Sequence, residues 1–294
     1  MKMGIEKASS SFLTSGFASL GEILDVRQCT DLLSQIRSAS EFSKGLFKTE
    51  KEYHSTKDRK GLNPAPGRNI LEHLDAGFIE KNQVLNTILK SILGADYQIV
   101  NKKAVAAIPG EWIPEWVKRE IRKLPVPNLG VFVKPQHANI SYFYGIPFHQ
   151  DIVDYQERTS DFVTVYIYLN AVHEVQSPLH VIPNSHRFGA TMFPHHIEPP
   201  HKRATIGSWL YSDGRGREIL LDSKMLCGPA GSVYLWHPCI LHGTLPSKLT
   251  RSVKSNRVSL RYIVAKNSGA RPSLIDELNG EIEGPIQLRT RSTE

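Results

Sequence analysis

From about Val131 onward the sequence breaks into short β-branched and aromatic runs separated by turn residues, and this limits the fold more than any other feature. ANISYFY alternates, FVTVYIYLNAV (Phe162–Val172) is a long strand-like run, and SPLHVIP, GSVYLWHP and RVSLRYIVA follow, each bounded by Pro, Gly, Asn or Ser. Many antiparallel strands joined by turns must close into a sandwich or barrel, and the jelly roll is the usual double-sheet solution. The first hundred residues read differently. Ile23–Ala39 spaces Ile23, Val26, Cys29, Leu32, Leu33 and Ile36 as one helical face, Asn86–Gly94 is a second helix stopped by glycine, and a third starts at Pro114. Tyr53–Gly67 reads as loop. The fold class expected is therefore mainly β with flanking helices. Residues 1–125 form a largely helical support, 126–270 the jelly-roll core, and 271–294 a C-terminal tail. Within the core, 188–222 lacks strand periodicity and reads as a lid or insertion. No internal repeat or Ser/Pro/Gly linker divides the chain, so a single domain spanning 1–294 is expected.

Composition removes several classes. At 294 residues and 40% apolar content the chain can bury one large core. It has no apolar run of about 18 residues, the length a membrane span needs. MKMGIEKASSSF has no apolar signal-peptide centre, and Cys29, Cys227 and Cys239 cannot all pair and lack metal spacing, so a reduced cytoplasmic protein is the expectation. The net charge of +7 is local: residues 223–275 hold no acid but Lys224, Lys248, Arg251, Lys254, Arg257, Arg261, Lys266 and Arg271. No helix-turn-helix, zinc-finger or RNA-binding signature accompanies that charge, so no nucleic-acid partner is expected.

The chemistry concentrates in PFHQDIVDY and WHPCILHGTLP. His149 and Asp151 are two apart, so on a strand or its continuation both side chains leave from one face and can grip one ion. His242, 93 residues later at the end of an apolar run, completes a 2-His-1-carboxylate set of the kind that holds non-haem Fe(II) with three positions open. Arg257, 15 residues beyond His242, opens the strand RVSLRYIVA and could hold the distal carboxylate of 2-oxoglutarate in a bidentate pair; Ser259 would share its face. Arg251, nine residues after His242, is the competitor, in the polar stretch LPSKLTRSVKSN. His186 reads as structural, and His237 falls on the opposite face from His242. His195, His196 and His201 read as a solvated loop, and Cys239 as a packed residue.

The order of blocks resembles the phytanoyl-CoA dioxygenase family of Fe(II)/2-oxoglutarate oxygenases. Gln136 precedes FHQD, then come DFVTVYIYLN, SPLHVIPNSHRFG, GPAGSVYLWHPCILHGTLPS and RVSLRY. Ser177 and Asn184 stand where the family usually has glycine, and the spacing from His242 to Arg257 is longer than usual. The resemblance implies a double-stranded β-helix, a distorted, cupin-like jelly roll with Fe(II) at one mouth on His149, Asp151 and His242. It implies 2-oxoglutarate and O2 as co-substrates, with Gln136 and Thr164 beside Arg257 and Ser259 as co-substrate contacts, and hydroxylation of an unactivated C–H bond. An aspartate at position 151 argues against the related halogenases. The rival readings are a natural-product or compatible-solute hydroxylase of the same family, a non-catalytic jelly-roll binding protein and a zinc hydrolase. For the substrate, the basic surplus points to a small or lipid-linked anion, acyl-CoA-like or an acidic glycolipid sugar such as lipopolysaccharide Kdo, met by Lys248, Arg251, Lys254, Tyr144 and Trp236. Lys118, Arg119, Arg122 and Lys123 beside Trp112 and Trp116 suit peripheral contact with an anionic membrane surface.

Overall fold

The computed structural model describes residues 2–56, 64–124, 128–155, 159–191, 196–198, 208–212, 218–245, 256–267 and 269–283. Its strands are β1 (Phe17–Glu22), β2 (Tyr97–Ala107), β3 (Ser141–Phe143), β4 (Ile146–His149), β5 (Phe162–Tyr168), β6 (Leu179–Val181) and β7 (His196–Glu198). The remainder are β8 (Ser208–Ser212), β9 (Glu218–Asp222), β10 (Lys224–Leu226), β11 (Ser232–Trp236), β12 (His242–Thr244) and β13 (Val258–Lys266). A six-stranded sheet runs β1-β11-β5-β13-β2-β3 and a four-stranded sheet runs β10-β6-β12-β4. Together they form the jelly roll.

The period of two along each strand sorts the side chains of the large sheet into two populations. Val163, Val165 and Ile167 of β5, with Val258, Leu260, Tyr262 and Val264 of β13, join one apolar cluster with the flanking helices. The alternate residues point between the sheets: Tyr166, Tyr168, Tyr234 and Trp236 pack there with Leu179 and Val181 of β6. Arg257, Ser259 and Arg261 share that parity and are buried too. Both sides bury apolar area, and the interior side carries the buried polar groups as well.

The helices are α1 (Lys2–Ser15), α2 (Val26–Ala39), α3 (Glu50–Ser55), α4 (Gly77–Glu80), α5 (Gln83–Leu93), α6 (Glu115–Ile121) and α7 (Leu274–Gly280). The helix expected from Ile23 starts later, because Asp25 caps it: its side chain accepts from the Gln28 N–H at 2.9 Å. Gly94 ends α5 with φ 92°, as its position suggested. Tyr53–Ser55, read as loop, are the end of α3, which a capping box between Thr49 and Glu52 nucleates.

Three further differences follow from long-range pairing. Residues 1–125 are not only helical: β1 pairs with β11 and β2 with β13, so two strands of the main sheet come from that region. Inside 188–222, β7, β8 and β9 form a three-stranded sheet, with Trp209 packed on Phe148 at 4.9 Å between centroids. In the expected tail, α7 buries Ile275 and Leu278 in the main cluster instead of trailing into solvent.

Candidate active site

Antiparallel pairing sets the two histidines. His242 of β12 and His149 of β4 are direct Cα partners, and their rings lie 4.3 Å apart by centroid. Gly243 permits this approach: a Cβ there would come within 2.7 Å of the Ile146 carbonyl and 3.0 Å of the Phe148 nitrogen. Asp151, just past β4, brings its carboxylate to the same point, so that ligand atoms of His149, Asp151 and His242 lie within 4.8 Å of one another.

Both imidazoles are oriented in the same way. His149 Nδ1 lies 3.0 Å from the Pro147 carbonyl and His242 Nδ1 lies 3.0 Å from the Ile240 carbonyl. A carbonyl only accepts, so each Nδ1 carries a proton and Nε2 is the nitrogen left for a metal. Burial pushes the His242 imidazole down to about 4, against the opposing pull of Asp151, so it is neutral at physiological pH.

Asp151 is 1% exposed and fully engaged. Its Oδ2 accepts from Thr164 Oγ1 at 2.5 Å and Trp236 Nε1 at 2.9 Å, and its Oδ1 accepts from Arg261 Nη2 at 2.6 Å. Burial alone would raise its pKa, but the Arg261 guanidinium and the other partners hold it well below the usual carboxylate range. Removing one partner of such a buried pair typically costs about 3–5 kcal/mol, because the other charge is left without compensation.

The triad opens into a cavity of about 140 Å³ whose wall includes Lys103, Val105, Phe143, Tyr166, Leu179 and Trp236. Behind Tyr166 lies Arg257, with 0% exposure; its Nη1 donates to the Tyr166 hydroxyl, while Nε and Nη2 have no partner among the described residues. The hydroxyl of Ser259, also fully buried, lacks a partner as well. A buried guanidinium with no carboxylate is costly, so this end of the site fits an anion brought from outside. His149, Asp151 and His242 offer two imidazole nitrogens and one carboxylate, a donor set that fits Fe(II), and Arg257 with Ser259 fits the far carboxylate of 2-oxoglutarate.

The other expected residues divide. Thr164 touches Asp151, so what it holds is the metal ligand. Trp236 both donates to Asp151 and packs at a tilt against His242, 4.9 Å away by centroid. Gln136 is exposed in a 3-10 turn, and Tyr144 packs on Gly110; neither lines the cavity, where Phe143 stands instead. Lys248, Arg251 and Lys254 lie outside the described residues, as do His195 and His201. His237 is turned away, between Asn279 and His186, and Cys239 is buried.

On α6 and just past its end, Lys118 pairs with Glu115, Arg119 with Glu50 and Lys123 with Glu120, all at the surface, while Trp116 packs on Tyr53 and Phe132. No described helix is long and apolar enough to cross one.

Sequence reasoning passed over Arg261 and Lys103. Arg261 was legible in principle, being two residues past Ser259 and therefore on the same face as Arg257. Lys103 needed the β2–β13 register, which places it opposite Arg261.

Comparison with known proteins agrees with this geometry. The family profile described as Phytanoyl-CoA dioxygenase (PhyH) matches residues 15–253. A protein of Stutzerimonas stutzeri named "Probable alpha-ketoglutarate-dependent hypophosphite dioxygenase" is 28% identical over 109 residues, a match covering 36% of this chain and 35% of that protein. This chain thus spans about a third of that relative's length. Among solved structures, the non-heme alpha ketoglutarate dependent epimerase SnoN from nogalamycin biosynthesis aligns over 90% of this chain and 84% of its own. The TM-score is 0.53 at 9% identity, a likeness of fold.

Proposed function

The chain belongs to the phytanoyl-CoA dioxygenase family of Fe(II)/2-oxoglutarate oxygenases, and from that premise we propose that it hydroxylates an unactivated C–H bond of an anionic small molecule. The observation that carries this reading is Arg257: a fully buried guanidinium with two unpartnered nitrogens, on the interior face that also presents the residues around the triad. When bound, iron and 2-oxoglutarate supply the oxidising power, one oxygen atom of O2 entering the substrate and the other leaving in succinate as CO2 is released.

This chain's own residues bind and orient. His149 and His242 present Nε2 because their Nδ1 protons are held by backbone carbonyls. Thr164, Trp236 and Arg261 keep Asp151 ionised and in one rotamer. Arg257 and Ser259 receive the far carboxylate, and Tyr166 holds Arg257 in place. Trp236, Leu179 and Val105 keep water from the cavity wall.

For the substrate, acyl-CoA-like molecules and acidic glycolipid sugars are the candidates raised by the basic segment. The relative named for hypophosphite, itself an oxyanion, supports negative charge and extends the range to small oxyanions. The test is succinate formation from 2-oxoglutarate with a panel of carboxylates, phosphonates and acyl thioesters. Turnover that needs Fe(II), is inhibited by Zn(II) and is lost in Asp151→Ala is the expected result. Hydrolytic activity restored by Zn(II), with no succinate from any substrate, would overturn the reading.

A further inference from the structure

Lys103 and Arg261 are direct partners across β2 and β13, so two cations stand side by side on one face of the sheet, both lining the cavity. Like charges directly opposite are destabilising in an antiparallel pair. Folding alone would not favour this choice, and rule-breaking positions of this kind belong to functional sites.

The local charges do not cancel. Two arginines, Arg257 and Arg261, and one aspartate, Asp151, are buried around the cavity, leaving one positive surplus. Lys103, half-buried, adds another, and no carboxylate lies within 4.0 Å of its Nζ among the described residues. Asp154, an exposed carboxylate on the same cavity wall, opposes Lys103 and Arg261, so the net surplus is one positive charge. Fe(II) and the 2-oxoglutarate dianion neutralise one another, so loading the site leaves the surplus in place. Arg261 commits Nη2 to Asp151 and also meets the Tyr155 side chain, but its Nε has no partner among the described residues.

Position separates this surplus from the co-substrate anchor. Arg257 and Arg261 are four residues apart, about 13 Å along a strand that rises roughly 3.3 Å per residue. Arg261 reaches the triad through Asp151, whereas Arg257 sits behind Tyr166.

We propose that Lys103 and Arg261 together form the receptor for an oxyanion group of the substrate, a carboxylate or a phosphonate, at the metal end of the cavity. This rests on the oxygenase reading above and assigns its substrate selectivity to two residues. A bidentate-capable arginine and a point-charge lysine suit a compact oxyanion, and the bond from Arg261 to Asp151 ties that receptor directly to a metal ligand.

Calorimetry under anaerobic conditions tests it. Protein loaded with Fe(II) and 2-oxoglutarate is titrated with methylphosphonate, with acetate, and with the neutral dimethyl methylphosphonate. Wild type is expected to bind at least one of the two anions and not the ester. Lys103→Gln should weaken the anion at least about tenfold, the scale of one charge-assisted hydrogen bond, and Lys103→Arg should recover most of it. The proposal is overturned if neither anion binds wild type, if the ester binds as well as the anions, or if Lys103→Gln binds like wild type. If 2-oxoglutarate itself gives no binding heat with the Fe(II) protein, the oxygenase reading fails and the receptor with it. If 2-oxoglutarate binds and the anions do not, only the receptor fails.

Discussion

Asp151 is held by side chains from three strands, Thr164 of β5, Trp236 of β11 and Arg261 of β13, before any metal is considered. That places much of the site's precision in residues that do not touch iron. Thr164→Val keeps the shape and deletes one of these bonds. The expected outcome is Fe(II) affinity lower by about tenfold, in line with outer-shell substitutions elsewhere, with little change in thermal stability; metal titration against wild type measures it. At this scale the sequence was informative where chemistry follows spacing. The H-x-D pair and the distal histidine were visible because metal-ligand geometry demands those types, and the fold brings all three together. The role of Thr164 was not, since the sequence does not show that its hydroxyl faces a carboxylate 13 residues earlier.

Among elements, the strands from β5 onward were legible because β-branched and aromatic runs declare themselves. β2 was not: its Asn-Lys-Lys-Ala stretch has weak strand propensity and becomes a strand only between β13 and β3. The two departures from the family's glycines have a structural counterpart. Ser177 and Asn184 are the two non-glycine residues with positive φ among the described residues, at 59° and 68°. The backbone there kept the left-handed conformation that glycine adopts at least cost. Ser177 adds a bond from its hydroxyl to the Leu245 carbonyl, at 2.5 Å. Gly243, in contrast, is constrained by space. Gly243→Ala should push β4 from β12, separate His149 from His242 and cost about 1–3 kcal/mol as overpacking. Urea unfolding and Fe(II) titration should both show the loss; unchanged metal affinity would mean that β4 tolerates the shift.

Over the whole molecule, α7 closes the jelly roll from outside the strand-rich segment. Asn279 joins His237 Nε2 at 2.8 Å and the Ser160 carbonyl at 3.1 Å. The backbone N–H of Cys239 donates to His237 Nδ1, so the imidazole must be neutral with its proton on Nε2. Burial accordingly pushes His237 down to about 4 and His186 to about 3. A histidine whose folded pKa is depressed contributes nothing to pH dependence above about 7. As pH falls below the unfolded value near 6.5, the unfolded chain takes up the proton first and stability drops until the folded pKa is reached. His237 alone should remove about 3 kcal/mol by pH 4, and His237→Gln should show a shallower fall in Tm between pH 7 and 5. Nothing in residues 271–294 announced this role, because the contact depends on tertiary placement of a single asparagine.

On the proposed reading, the triad would hold Fe(II) and Arg257 would hold the far carboxylate of the 2-oxoglutarate bound to it. Anaerobic titration of 2-oxoglutarate into the Fe(II) protein, followed by the visible charge-transfer absorption that chelation of Fe(II) by a 2-oxo acid produces, tests both ends together. Wild type should show saturable absorption, and Arg257→Gln should reach the same absorption only at concentrations at least about tenfold higher, as loss of a charged bidentate pair requires. Absorption that never develops in wild type would rule out 2-oxoglutarate at the iron, and an Arg257→Gln curve that overlays wild type would remove Arg257 from its binding.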